Sequence, residues 1–184
     1  MFTALLLIAS LATTATACRD PSAGGAVPRP ATAASATPAQ PDGSALPPWP
    51  APSDVPARVA AAGLVLGPMG TAEHYHLRLR VIVNGDDVQV PANIGVDPMT
   101  GAMSPLHTHE TDGTIHVEAH RVGEVFTLGQ LFTQWGIELS SSQIGGVKAT
   151  GGQQVTLTRN GVTSSGNPQD VRLKPDEQIV LRLP

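Results

Sequence analysis

Six histidines lie between His74 and His120, and none follows in residues 121–184. Imidazole is the commonest protein metal ligand and the side chain whose charge changes near neutral pH, so this cluster is where chemistry is expected. One spacing occurs twice, in His74-x-His76 and His107-x-His109, and His116, Glu118 and His120 continue it at every second residue. Alternate residues of a strand share a face, so each such run presents its donors to one side. The single cysteine is Cys18, far from this window, which excludes a disulfide framework and thiolate sites of the zinc-finger or iron–sulfur kind. Imidazole and carboxylate donors suit zinc, copper(II), nickel or non-haem iron, and affinity alone favours copper. Met99 and Met103 stand just before His107 and could assist copper(I) as soft donors, although loop packing is the more ordinary role of such residues. Nothing resembles a nucleophile with its base, and Ser140-Ser141-Ser142 reads as a loop.

The elements that must position these residues are mainly strands. In His74 to Val83, Tyr75, Leu77, Leu79, Val81 and Val83 alternate with His74, His76, Arg78 and Arg80, which predicts a strand with one apolar and one polar face. Asn84-Gly85 tolerates the positive φ of a tight turn, and Val88 and Val90 return on the matching parity, completing a hairpin. A second hairpin is expected over residues 106–120 with Asp112-Gly113 at its tip. A two- or four-residue loop there sets His109 opposite His116 and His107 opposite Glu118, whereas a three-residue loop would set His109 against an apolar partner. His107, His109, His116, Glu118 and His120 then share one face, and Ile115, Val117 and Ala119 the other. Directly opposed Cβ atoms lie about 4.5–5.5 Å apart, close enough for two imidazoles to meet one ion. Glu118 could ligate, or could instead fix an imidazole tautomer from outside the ligand set. His74 and His76 could complete or duplicate the site if their strand is adjacent.

One helix is expected. Thr127 can cap it, Leu128, Leu131, Phe132 and Trp135 form one apolar face, and Gly136 supplies the stop. Phe132 and Trp135 are assigned to the core. Gln153 to Arg159, the Asn160-Gly161 turn and Gln178 to Leu183 read as closing strands. The fold class is α+β, mainly β: antiparallel hairpins with one helix, in an order compatible with a β-grasp-like roll carrying an inserted histidine-rich hairpin.

The succession HYHLRLRVIVNG, VPANIGV, SPLHTHETDGTIHVEAH, FTLGQLFTQWG and LKPDEQIVLRL resembles a family of bacterial and archaeal exported proteins of unassigned function. That family carries H-x-H, then P-L-H-T-H-(D/E)-x-x-G-x-I-H-x-E, then F-T-L-G-Q-x-F-x-x-W-G, often behind a signal or membrane anchor. The resemblance covers about residues 74 to 183. It implies His74, His76, His107, His109, His116 and Glu118 as motif positions, leaves His120 outside, and implies no particular reaction. Gly101 followed by His107-Thr108-His109 also resembles half of a first cupin motif, but the glutamate of that motif and any second motif are missing.

Ahead of the domain, the apolar run Leu5 to Leu11 and the small residues up to Cys18 predict an export signal over residues 1–18, of lipoprotein type, with Cys18 lipidated and anchoring the chain to a membrane. Its start lacks a basic residue, and Ala15 stands where a leucine-like residue is usual. Residues 19–58 hold 10 of the 17 prolines and 10 alanines, which predicts a disordered linker, and 59–184 are expected to form a single globular β-rich domain. The net charge is −4, and the few arginines and lysines are spread along the chain, so no nucleic-acid partner is expected.

Three functions remain open from sequence. The first is an exported metal-binding protein, at the cell surface or in the periplasm, that captures, buffers or delivers zinc or copper. The second is a zinc-dependent hydrolase or hydratase, with Glu118 or Glu110 as base beside a metal-bound water. The third is a cell-surface interaction module whose histidines bind no metal. A cavity beside an open coordination position favours the enzyme, and a shallow exposed site favours binding.

Overall fold

A computed structural model of the chain describes residues 43–184. The expected export signal, Cys18 and the first part of the expected linker lie outside the described residues. In chain order the elements are α1 (Val55–Ala61), β1 (Glu73–Val83), β2 (Asp86–Val88), β3 (Leu106–His107), β4 (Thr114–Ala119), α2 (Leu128–Trp135), β5 (Gln143–Ile144), β6 (Val147–Lys148), β7 (Thr156–Arg159), β8 (Val162–Ser164) and β9 (Gln178–Leu183). The fold is α+β and mainly β.

The long strand β1 organises the main sheet. Its C-terminal half pairs in parallel with β9, and β7 continues that side, with β8 beyond it. Its other edge is shared end to end, by β4 along Glu73 to Arg78 and by β2 along Val81 to Val83. A β1–β2 hairpin, a helix, and a last strand parallel to the first make the order of a β-grasp-like roll. The β3–β4 hairpin is inserted between β2 and α2 and extends the sheet at β1. The alternation read in β1 holds: Leu77, Leu79, Val81 and Val83 are buried while His74, His76, Arg78 and Arg80 are exposed. The Asn84-Gly85 turn has φ of 53° and 92°, the left-handed pair that a two-residue hairpin needs.

Helix α2 forms as its sequence predicts. Thr127 and Gln130 close a capping box, Gly136 ends the helix at φ 79°, and Leu128, Leu131, Phe132 and Trp135 are all buried. Together with the inward residues of β1, β4, β7 and β9 they make one core.

Two expectations are corrected upstream. The described residues contain a second helix, α1, and residues 43–58 pack onto the domain although they were expected within the linker. Trp49 is only 2% exposed, meets Trp135 edge to face at 5.8 Å, and donates its indole N–H to the Ala45 carbonyl. Val55 and Val59 are buried as well. Proline-rich composition speaks against a self-contained core, but one indole docking onto a preformed core needs no periodicity of its own. Among the described residues no helix is long and apolar enough to cross a membrane.

Candidate metal centre

The histidines are gathered by strand order. His76 pairs with His116 across β1 and β4, and His116 pairs with His107 across β4 and β3, so three imidazoles stand in one row across three adjacent strands. The His76 and His116 rings meet edge to face at 4.5 Å, and those of His116 and His107 stack at 5.3 Å with 13° between planes. Ile115, Val117 and Ala119 face the core on the opposite side of β4 and are fully buried.

The expected hairpin register is corrected by two residues. His107, and not His109, is the partner of His116, so residues 108–113 form a longer loop than a two-residue turn. A shift of two preserves the face, which is why the histidines still converge. Two tertiary contacts account for the longer loop. The segment leading to Ile94 captures Thr108: the Thr108 N–H donates to the Ile94 carbonyl, the Asn93 N–H to the Thr108 carbonyl, and the Thr108 hydroxyl to the Pro91 carbonyl while accepting from the Ile94 N–H. At the far end Gly113, at φ 85°, lies against β1, where its carbonyl accepts from the Leu79 N–H. Arg78 holds the same loop by donating to both the Asp112 carbonyl and its carboxylate.

This loop returns His109 to the row. His109 Nε2 lies 3.0 Å from His107 Nε2, and the His109 ring packs against His116 at 4.9 Å. One nitrogen from each of His107, His109 and His116 falls within 4.8 Å of the others, and the same holds for His74, His76 and His116. Two nitrogens bound to one zinc at about 2.0–2.1 Å in tetrahedral geometry stand about 3.3 Å apart. The 3.0 Å in the first group and the 3.1 Å between His74 Nε2 and His76 Nε2 in the second are near that spacing. Either group could hold a metal ion.

His107 is the best prepared of these candidate ligands. It is fully buried, and its Nδ1 lies 2.8 Å from the Ser104 carbonyl. A carbonyl only accepts, so Nδ1 carries the proton and Nε2 presents its lone pair towards His109, the tautomer in which a metal-binding imidazole is usually held. Burial pushes the His107 pKa down to about 4, against the opposing pull of the Ser104 bond and with small further lowering from His109, His116 and His74. The imidazole is therefore neutral at pH 7 and free to ligate. Burial, and then the neighbouring His116 and His74, also lower the pKa of His76.

A carboxylate stands beside each group. Glu110 Oε2 accepts from His116 Nε2 at 3.1 Å, and Glu118 Oε1 lies 3.6 Å from His74 Nε2. Glu118 is opposite His74 on β1 instead of opposite His107, and it belongs to neither group of three. His120 lies beyond the end of β4, where its backbone N–H donates to Glu124, and it joins neither group. Met99 is 88% exposed, and the backbone of Met103 bridges Gly67 and Val96. The Ser104 carbonyl and the Thr108 clamp were not legible in the sequence, because both act through backbone groups that no side-chain pattern reports. Comparison with family models, curated proteins and solved structures gives no match for this chain.

Proposed function

We propose that this is an exported metal-binding protein in which His107, His109 and His116 hold a zinc or copper ion for capture, buffering or delivery. The observation that carries the reading is the convergence of three imidazoles, one of them buried, neutral and held in the ligating tautomer by a backbone carbonyl. Imidazole donors with a nearby carboxylate suit zinc and copper(II), and outside the cytoplasm these are the plausible occupants. The resemblance to exported proteins points to the same positions: of its motif residues, His74, His76, His107, His109 and His116 converge, while Glu118 stands beside His74 outside both groups. Export and a lipid anchor on Cys18 rest on the sequence before residue 19.

Binding is the reading we carry forward. A hydrolase needs a recess beside its metal water. The hollow of about 380 Å³ on this side of the sheet is lined by His76, Arg78, Thr114, Asp176 and Glu177 but by none of His107, His109 and His116. His109 itself is exposed. With His109 exposed beside the buried His107, an ion can reach the site from solvent.

The deciding experiment is elemental analysis and metal titration of the purified full chain beside His107→Ala/His109→Ala. The wild type is expected to retain zinc or copper at neutral pH, and the double variant to bind more weakly by about tenfold or more. No metal on the wild type, even when offered, overturns the reading. Undiminished affinity in the double variant overturns the choice of ligands.

A further inference from the structure

His116 belongs to both groups of three. It stands in the middle strand, with His76 on one side and His107 on the other, and its ring touches both. Resting on the metal-binding reading above, we infer that His74, His76 and His116 form a second, outer station for the same ion, and that the ion passes from it to the inner station of His107, His109 and His116 without leaving His116.

The two stations differ in the way such a path requires. His74 and His76 are exposed, with the His74 side chain 54% accessible, and His76 borders an open hollow. The outer station is therefore the more open of the two, with two exposed ligands against one, and its side chains lose rotamer freedom on binding an ion. The inner station contains the buried His107, oriented by Ser104, next to Thr108, which is locked by four hydrogen bonds. With His107 already fixed it has less freedom to lose, so it holds the ion more tightly. With ring centroids 4.5 and 5.3 Å from His116, His76 and His107 are near enough to replace each other as partners of a His116-bound ion. Transfer is then a series of ligand exchanges in which the ion is never bare. Two doubly charged ions held on either side of His116 would repel, and a neutral imidazole has one lone pair, so His116 serves one of them at a time. Occupancy is one ion per chain.

The test follows zinc alone, with the full chain, in stopped-flow exchange against a chromophoric chelator and in equilibrium titration. Wild type is expected to bind one ion per chain. In His74→Ala/His76→Ala, affinity stays within about threefold of wild type while loading and release both slow by about tenfold, because a path accelerates both directions without moving the equilibrium. In His109→Ala, the ion is released about tenfold faster, and His116→Ala loses binding to both stations. Circular dichroism checks the fold of each variant, and His74→Gln/His76→Gln repeats the measurement should the alanine pair unfold. Two ions per wild-type chain, or unaltered loading and release in both outer pairs, overturns the relay while leaving the inner site standing. Wild type with no zinc overturns the metal-binding reading itself.

Discussion

At the scale of single residues His107 couples folding to pH. In the unfolded chain its imidazole takes a proton near pH 6.5, but in the folded chain only near 4. Between those values the unfolded chain binds more protons, so stability falls as pH falls through this window and is complete above it. The cost at the acid end is at most about 3 kcal/mol. Urea unfolding of metal-free protein between pH 4 and 7 should show this slope, and His107→Gln should flatten it. An unchanged slope in the variant would mean that other groups, such as His76, carry the acid sensitivity. The Ser104 carbonyl has no side-chain signature, so the tautomer of His107 is known only from the folded contacts.

The element that decides ligand geometry is the loop 108–113, and it can be loosened without touching a histidine. Thr108→Val removes the hydroxyl that accepts from the Ile94 N–H and donates to Pro91, leaving buried polar groups unpaired at a cost of about 1–3 kcal/mol. Denaturant unfolding should register that loss, and metal affinity should fall with it, since Thr108 separates His107 from His109. Gly113→Ala should be worse than Gly101→Ala. Both glycines have positive φ, and a side chain there costs about 1–2 kcal/mol. At Gly113, however, an added Cβ would also sit 2.2 Å from the Leu79 carbonyl oxygen, whereas at Gly101 it meets nothing within 4 Å. Equal losses of stability in the two variants would show that Gly113 does not dock on β1 as described. Helix α2 was legible to its caps because Thr127 and Gly136 act locally. The hairpin register was legible only in parity, because Thr108 and Gly113 are held by segments distant in sequence.

For the whole molecule, the domain begins earlier than composition implies. Trp49 is buried edge to face against Trp135, and the Trp135 indole N–H lies within hydrogen-bonding reach of the Trp49 and Pro50 carbonyls. Trp49→Ala should cost about 3–5 kcal/mol, and a chain starting at residue 59 should be at least as unstable, both readable as a lower melting temperature. A truncated chain as stable as the full one would mean that residues 43–58 do not pack against the core. One of the two tryptophans of a chain with 3% aromatic residues falls here, and it was the available sign that this stretch was more than linker. At the same scale, Cys18→Ser should move the protein from the membrane fraction to the soluble exported fraction. Equal partition of both forms on fractionation would remove the lipid anchor from the proposal.

The sequence by itself determined where the histidines cluster and which face of each strand they share, because period-two alternation and turn residues are properties of neighbours along the chain. It also determined α2 and the closing strands for the same reason. What only the tertiary structure decided was the lateral order β3-β4-β1, which turns two separated H-x-H pairs into a row with His116 at its centre. Strand neighbours are chosen by long-range pairing and by the core that covers them, and neither leaves a local mark in the residues being paired.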